Sequence, residues 1–436
     1  MKPILVSLLF ALAVHAENWP QWRGPGGNGV SAEKGLPTEW SATRNIAWKT
    51  EIPGRGHSSP VVWGKLIFLT TSLELEPIQG AKAPKHMQEG QEFRHPDSAG
   101  ADRAHRLIVM AVDAQSGKIQ WQQTAYEGRV YDDRHKKNTY ATPTPVTDGK
   151  AVYVSFESQG IYAYSPDGKL KWKTSLGPIG TVGMGPASSP VLFEDLVLVL
   201  CDQEEGADSF LAALSARDGK VVWKVARKEA ANWSTPSIVY NGAQPVLVAP
   251  GMTNTIAYDP RNGKELWRTK GVVGNTVPSI VSGLGMIFPS AGYPDKRVYG
   301  IRNDGTLAWS YEKGTAYVPS PILYGDYLYI PSDRGLLTCL EARTGKLVYE
   351  GKRVPKPATF SASPVAFDGK IFLTSEEGET FIIQAGPEYS VLGSNTLDEA
   401  AHASPAIANG RLYIRTASHL WAVAAHLGNQ AMMPAK

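Results

Sequence analysis

The protein has 436 residues, of which 42% are hydrophobic and 19% are charged. A chain of this size and composition has ample apolar residues for a large core, in one big assembly or in roughly two or three average domains. Its formal net charge is only +3 and it has no basic run, which argues against nucleic acid as a partner.

Residues 1–16 have the order of features of a secretory signal peptide. Lys2 supplies the positive start, an apolar core runs from Ile4 to Val14, and a small-residue cleavage site ends at Ala16. The apolar core is too short to span a bilayer. We therefore predict cleavage after Ala16 and a periplasmic or secreted protein. No cysteine follows the cleavage site, so we expect no lipid anchor, and we expect no transmembrane segment elsewhere.

After residue 44 the chain repeats one pattern eight times. Each copy has small hydroxyl residues beside a proline, an apolar run, a turn such as Asp148-Gly149, and a second apolar run. Such turn pairs accept the positive φ angles of two-residue hairpins. A period of about forty residues with several strands per unit predicts a β-propeller. The prolines that open the units are Pro60, Pro145, Pro190, Pro236, Pro278, Pro321, Pro364 and Pro405.

A second recurring signal is a glycine followed four residues later by an aromatic residue, as in Gly117 and Trp121. The glycine relieves strain at a tight turn, and the flat aromatic ring on the outer strand wedges between neighbouring sheets. The eighth unit contains only three strands. We predict that the segment 45–50, which carries Trp48 in the same manner, supplies the fourth strand and closes the ring without exposed sheet edges.

The predicted organisation follows from these signals. It consists of a signal peptide (1–16), an N-terminal extension (17–44), an all-β eight-bladed propeller (45–424) and a C-terminal tail (425–436).

The strings AVDAQSGKIQW, from Ala111 to Trp121, and AYDPRNGKELW, from Ala257 to Trp267, resemble the tryptophan-docking repeat of the pyrroloquinoline-quinone (PQQ)-like propellers. The opening WPQWRGPGGNGVS and the stretch KNTYATPTPV look like exported PQQ-like repeat proteins of environmental bacteria. The resemblance covers nearly the whole mature chain. It implies the fold more than the function, because the docking residues are structural and the superfamily includes both quinoprotein alcohol dehydrogenases and a non-catalytic lipoprotein of the outer-membrane assembly machinery.

Resemblance to the dehydrogenases implies a bound PQQ cofactor that lies over a calcium ion and under a disulfide between two adjacent cysteines. It also implies an aspartate that acts as the catalytic base. This chain has only Cys201 and Cys339, which are not adjacent. We therefore assign no catalytic residue, no cofactor-binding residue and no metal ligand. We predict no cofactor, and the alternative prediction is that the protein binds PQQ with Ca²⁺. The two cysteines fall in different, non-adjacent units, which predicts free buried thiols although an exported protein could pair them.

An insert in the first unit, residues 73–106, and the linker after that unit are rich in ionisable residues. They contain His86, His95, His105, Asp132, Asp133 and His135. Their spacing fits no recognised metal-ligand pattern. The favoured interpretation is a polar loop with solvated imidazoles, and a metal site is the alternative. Both segments should emerge on the face of the propeller that carries its longer loops, where ligands usually bind.

Residues just before the innermost strands are predicted to reach the mouth of the central channel. They mix aromatic and polar side chains, as a binding mouth often does, and plain filling of the channel is the equal alternative. The candidate ligand-binding residues are His57, Tyr140, Trp233, Asn275, Tyr317, Phe360 and His402. Ring closure makes the first and last units neighbours, so His57 and His402 should lie within about 10 Å on one rim. Titration of this pair near neutral pH would make binding pH-dependent.

These features favour an exported, non-catalytic propeller that binds a protein, peptide or glycan on its loop face, expected to be a monomer. The alternative function is that of a PQQ-dependent quinoprotein oxidoreductase using the central channel.

Overall fold

The computed structural model describes residues 17–88, 90–271 and 274–425. The predicted signal peptide, and the predicted tail beyond residue 425, lie outside the described residues. The described chain is built from antiparallel strands, with one short 3₁₀ turn at Glu157–Gln159. Eight successive sheets form the blades, so the predicted eight-bladed β-propeller is confirmed.

In blades 1 to 4 the strands pass from the innermost to the outermost position in chain order. Blade 1 consists of Val61–Trp63, Leu66–Pro77, Arg103–Asp113 and Ile119–Arg129. Blade 2 consists of Val146–Thr147, Val152–Ser155, Ile161–Tyr164 and Leu170–Thr174. Blade 3 consists of Val191–Phe193, Leu196–Cys201, Phe210–Ser215 and Val221–Ala226. Blade 4 consists of Ser237–Asn241, Gln244–Pro250, Asn254–Tyr258 and Glu265–Lys270.

Blades 5 to 7 follow the same order, with the second strand of blade 5 split in two. Blade 5 consists of Val281–Gly283, Met286–Phe288 with Ser290–Ala291, Arg297–Arg302 and Leu307–Tyr311. Blade 6 consists of Ile322–Tyr324, Tyr327–Pro331, Leu336–Glu341 and Leu347–Arg353. Blade 7 consists of Val365–Phe367, Lys370–Thr374, Glu379–Gln384 and Val391–Thr396.

Blade 8 joins the two ends of the described chain. Its inner strands are Ala406–Ala408, Arg411–Arg415 and His419–Val423. The outermost strand is the N-terminal Ile46–Glu51, which pairs antiparallel with the third strand. The predicted closure of the ring by the N-terminal strand is therefore confirmed.

The recurring tryptophans join six of the eight blades to the next one. The indole of Trp121 in blade 1 donates to the carbonyl of Pro166 in the outer turn of blade 2, at 2.8 Å. Gly168 in that turn has a positive φ of 85°, and an added Cβ would lie 2.7 Å from the Trp121 ring. The glycine is thus required both by the turn and by the stacked indole. Trp48 docks in the same way on Ala114 of blade 1, at 3.1 Å.

The core of the molecule is divided among the interfaces between neighbouring blades. In one cluster, Tyr153 and Ala163 of blade 2 pack against Val197 and Val199 of blade 3. Both cysteines are free and buried inside blades, Cys201 in blade 3 and Cys339 in blade 6, as predicted.

The N-terminal extension, residues 17–44, closes the central channel from the side opposite the long loops. Trp19 is fully buried and exchanges two backbone hydrogen bonds with Val62 of blade 1, at 2.9 and 2.8 Å. The Trp22 indole donates a hydrogen bond to the Ser279 hydroxyl of blade 5 at 3.0 Å. Later in the extension, the backbone forms hydrogen bonds with the backbone of Ala366 in blade 7. The extension therefore occupies the inner edges of several blades at once, a role that the sequence did not reveal.

The insert of blade 1 rises from the loop face. It continues two long strands, which are linked through a small hairpin of His86–Gln88 with Gln91–Phe93. Ser98–Ala99 then pairs with Arg134–His135 of the following linker. Within the described ranges, no helix is long and apolar enough to cross a membrane.

Candidate functional site

A cavity of about 630 Å³ occupies the loop-face half of the central channel. Because the N-terminal extension lies beneath it and Trp22 is part of its lining, the cavity is blind at that end. Each of the eight blades contributes one residue to its upper wall just before its innermost strand. These residues are His57, Thr142, Ala187, Trp233, Val277, Val318, Ser361 and His402.

Two residues after each of these positions, a hydroxyl side chain belongs to a hydrogen-bonded belt around the channel. From blade 1 round to blade 8, the backbone N–H of a belt residue donates to the hydroxyl of the next blade in seven bonds of 2.8 to 3.2 Å. The belt is open between blades 8 and 1, where the Ser59 hydroxyl has no partner among the described residues. The belt consists of Ser59, Thr144, Ser189, Thr235, Ser279, Ser320, Ser363 and Ser404. This belt explains the recurring Ser-Pro and Thr-Pro pairs: the hydroxyl links neighbouring blades, and the proline that follows needs no N–H partner at the start of a strand.

The belt corrects the sequence alignment of blade 5. The alignment on Pro278 placed the preceding Asn275 at the channel mouth. In the structure Ser279 carries the belt hydroxyl, and Ile280 stands where the other blades have proline. The mouth residue of blade 5 is therefore Val277, and Asn275 is outside the cavity lining, with its backbone N–H bonded to the Tyr293 carbonyl at 2.9 Å.

Five of the seven candidate residues line the cavity: His57, Trp233, Tyr317, Phe360 and His402. Tyr140 does not. Its ring is buried against His105, with ring centroids 4.5 Å apart, and its hydroxyl donates to the Asp132 carbonyl at 2.9 Å. Tyr140 is thus a core residue beneath the insert. Thr142, Val277 and Ser361 also line the cavity but were not among the candidates predicted from the sequence. Each lies two residues before a belt hydroxyl, and this constant offset would have identified them.

His57 and His402 lie side by side where blade 8 meets blade 1. Their ring centroids are 4.7 Å apart, which confirms the predicted neighbourhood. Burial, with a smaller contribution from the positive charge of Arg415, lowers the pKa of His57 well below its usual value, and burial also lowers the pKa of His402. The expectation that the pair titrates near neutral pH is therefore wrong, because desolvation keeps both rings uncharged there.

The lowered pKa of His57 predicts a loss of stability in mild acid. The unfolded chain takes up the proton near pH 6.5 while the folded site resists it, so stability is complete above that pH and falls below it. Replacing His57→Gln should flatten the decline between pH 6.5 and 5 by up to about 1.4 kcal/mol per pH unit, which corresponds to one proton. Unfolding by urea at a series of pH values measures this, and parallel curves for the two proteins would contradict it.

The two acidic side chains at the cavity rim are held by protein partners. The Asp333 carboxylate accepts the backbone N–H groups of Tyr317 and Val318, at 2.8 and 2.9 Å. Glu376 pairs with Lys137 at 3.3 Å across the mouth. These contacts fix the upper loops and leave the apolar surfaces of Trp233 and other wall residues facing the cavity.

The histidines of the insert are less exposed than predicted. His105 is fully buried, and its Nε2 lies 2.8 Å from the Gly100 carbonyl. His86 is buried between two carboxylates, with Nε2 2.9 Å from Asp132 and Nδ1 3.2 Å from Glu204. Burial opposes the charged form of His86, but the hydrogen bonds and charges of these acids raise its pKa overall. The interpretation of solvated imidazoles is wrong for these two residues, because the insert folds down onto the linker after blade 1 and onto the blade 3 loop that contains Glu204.

One group of three potential metal ligands lies at the rim in the described part of the chain: His95, Asp97 and His135. The Nδ1 atoms of both histidines accept backbone N–H groups two residues further on, at 3.1 and 3.2 Å. The Lys136 ammonium also lies 2.8 Å from Asp97. The contacts of this group therefore serve to order the linker after blade 1.

The cavity does not fit a PQQ cofactor held on calcium. Calcium requires about six to eight oxygen ligands. Among the described residues, the cavity lining has two carboxylates, Asp333 and Glu376, and both are engaged by protein donors. The two cysteines are also buried in separate blades. We therefore derive no chemistry through this cofactor.

Eight blades around a blind cavity, six of them docked on the next blade by a tryptophan, define a β-propeller of the PQQ-like type. The sequence profile of the family described as outer membrane protein assembly factor BamB matches residues 105–271 and 207–431, more than half of the chain. The chain belongs to this family.

Individual relatives are distant. The chain is 23% identical to BamB of Escherichia coli K12 over 198 residues, which are 41% of this chain and 46% of that protein, so this match spans about half of the relative. With BamB of Shigella dysenteriae it shares 23% identity over 346 residues, 65% of this chain and 81% of that protein.

Solved structures of two kinds share the fold. BamB of Moraxella catarrhalis matches with a TM-score of 0.54 at 14% identity, covering 81% of this chain and 99% of that one. The quinohemoprotein alcohol dehydrogenase of Comamonas testosteroni matches with a TM-score of 0.65 at 12% identity, covering 96% and 82%. At such identities these likenesses show the fold alone.

Proposed function

We propose that the protein is an exported, non-catalytic binding scaffold that holds a partner protein or peptide on its loop face. The observation that carries this proposal is the asymmetry of the ring. One face has short turns and is crossed by the N-terminal extension, whereas the other bears the insert, the long linkers and the blind cavity. Function placed on loops over a rigid scaffold is common in such folds.

Family membership supports a binding role in the cell envelope. The relatives are named as outer membrane protein assembly factors, and export follows from the predicted signal peptide. Large side chains stand exposed on the loop face, including Tyr131 in the linker after blade 1 and Tyr293 in blade 5. Aromatic residues are enriched in protein interfaces, so both positions are candidate contacts.

Site-specific photo-crosslinking tests this proposal. A photoreactive residue replaces Tyr131 or Tyr293 on the loop face. The control is Tyr240, near the end of the innermost strand of blade 4 beside the opposite face, because the three side chains are similarly exposed at 53%, 62% and 59%. In periplasmic extract, we expect a defined protein adduct from positions 131 and 293 and none from position 240. Equal labelling from all three positions, or none from either loop-face position, would contradict a loop-face partner.

A PQQ-dependent oxidoreductase, the alternative function considered from the sequence, shares the fold with this chain, but the described cavity lining does not fit its cofactor. Its test is the absorbance spectrum of protein mixed with PQQ and Ca²⁺, followed by a dye-linked alcohol assay. Stoichiometric PQQ binding with turnover would replace the binding-scaffold proposal.

A further inference from the structure

The lower wall of the cavity presents unused hydrogen-bond donors. The seven belt hydroxyls that line it are at least nine-tenths buried, and each oxygen already accepts a backbone N–H from a neighbouring blade. These residues are Thr144, Ser189, Thr235, Ser279, Ser320, Ser363 and Ser404. A hydroxyl has one proton to donate, and none of these seven donates it to another described protein atom. The belt therefore offers a ring of O–H donors to an occupant of the cavity.

Two buried arginines place positive charge beside this ring. Arg23 of the N-terminal extension donates to the carbonyl of Pro321, next to a belt serine, at 2.8 Å, and its Nε and Nη1 have no partner among the described residues. Arg415 donates to the Ser58 carbonyl at 3.0 Å, in the seam between blades 8 and 1. Neither forms an ion pair with a described carboxylate.

Both arginines are charged at neutral pH. Burial lowers the pKa of each guanidinium to about 9, which leaves the protonated form dominant. A buried charge without a counter-ion is costly. Neither arginine is part of the cavity lining, so Arg23 and Arg415 favour an anion there by electrostatic attraction through the belt and not by direct contact. The carboxylates of the lining stand at the rim and are already paired, as described above for Asp333 and Glu376.

The upper wall has the opposite character. Trp233, Met184 and Tyr317 give it partly exposed apolar surfaces, whereas Phe360 is only 2% exposed. The Trp233 indole N–H is used by the Gly185 carbonyl at 3.1 Å, so its ring is available for stacking only. An occupant that matches both walls has an apolar body above and an acceptor-rich anionic end below. The volume of about 630 Å³ lies within the usual range of small-molecule sites.

We propose that the cavity binds the carboxylate end of a ligand whose adjoining group is aromatic or aliphatic. The carboxylate accepts hydrogen bonds from the belt hydroxyls, and the apolar group packs against Trp233 and Met184. This inference rests on the proposed binding function and names the chemistry that the cavity selects. The carboxylate comes either from the C-terminus of a peptide or from a free organic acid.

Matched acid and amide probes test the proposal by isothermal titration calorimetry. The first pair is 3-phenylpropionate with 3-phenylpropionamide, and the second is the peptide Ala-Ala-Ala-Phe with a free or an amidated C-terminus. We expect at least one acid to bind about tenfold or more tightly than its amide, because charge-assisted hydrogen bonds exceed neutral ones. Binding of the peptide acid alone identifies a peptide terminus, and binding of phenylpropionate alone identifies a free acid. Equal affinities within both pairs, or no binding by either acid, overturn the proposal.

Two pairs of variants locate the anion. Ser363→Ala removes one belt donor, and Ser363→Thr keeps it, as Thr144 and Thr235 do at the same position. Arg23→Met removes a charge, and Arg23→Lys keeps it. The first member of each pair should reduce the acid-to-amide affinity ratio several-fold, and the second should restore it, with thermal melting as the check on folding. A ratio unchanged in folded Ser363→Ala and Arg23→Met proteins overturns the assignment to the belt.

The two proposals fail separately. Loop-face crosslinks at positions 131 and 293 without acid binding would leave the scaffold function standing and remove only the carboxylate site. Acid binding without those crosslinks would remove the protein partner on the loop face.

Discussion

Deleting residues 17–54 should abolish the folded monomer. The deletion removes the strand Ile46–Glu51, which is the outer strand of blade 8, and so exposes the edge of His419–Val423. It also removes Trp19 and Trp40, both buried in the cluster that joins blades 1, 7 and 8. Loss of one such buried side chain costs about 3–5 kcal/mol, and an open sheet edge promotes association. We expect aggregation in size-exclusion chromatography with light scattering, and no cooperative thermal transition.

A shorter deletion separates the two roles of this segment. Removing residues 17–44 leaves the closing strand in place but uncovers the floor of the cavity. This protein should remain a folded ring of lower melting temperature, because blade 8 keeps its fourth strand. If the chain lacking residues 17–54 stays soluble with unchanged thermal stability, the N-terminal strand does not close the ring.

Replacing Asp202→Ala should destabilise the protein by about 3–5 kcal/mol, because it leaves a buried charge without its partner. Asp202 and Arg227 follow the second and the outermost strand of blade 3 and form an ion pair of 2.8 Å, and both side chains are inaccessible to solvent. Arg227 also donates to the Pro250 carbonyl at 3.0 Å and to the Tyr258 hydroxyl at 3.2 Å. These bonds hold the guanidinium in place, so it cannot escape to water. Chemical denaturation measures the loss as a lower midpoint.

Glu194→Ala is the matched control for this prediction. Glu194 pairs with Arg261 at a shorter distance, 2.6 Å, but both side chains are about half exposed. Water and salt screen such a pair, so its loss should cost less than about 1 kcal/mol. Equal destabilisation by the two substitutions would show that burial does not determine the strength of the Asp202 pair.

The blade number and the closing strand could be predicted from the sequence because each blade repeats the same local requirements. A turn such as that at Gly168 needs a positive φ, and the indole of Trp121 needs a flat neighbour, so both signals recur at fixed offsets. Trp48 carried the same signal at the other end of the chain, which identified its strand as the missing member of blade 8.

The site was predicted less completely, because its residues are defined by the belt and not by proline. In blade 5 the proline stands one residue before the belt serine, so an alignment on Pro278 misplaced the mouth residue. Tyr140 was misassigned because its neighbours are the buried His105 and the Asp132 backbone, contacts made only when the insert folds over the linker. The covering of the channel by residues 17–44 likewise depends on contacts with distant blades that no local pattern encodes.

Pairing of Ile46–Glu51 with His419–Val423 also has a kinetic consequence. The strand that completes the last blade emerges first during synthesis, and its partner emerges only after every other blade. Until then the strand Ile46–Glu51 has no sheet to join, and Trp48 can contact blade 1 but not blade 8. Contacts so distant in sequence slow folding, and waiting strands are prone to mispairing. The chain therefore needs a period of protection between its emergence and the closing of the ring, and its yield should depend on chaperones during that interval.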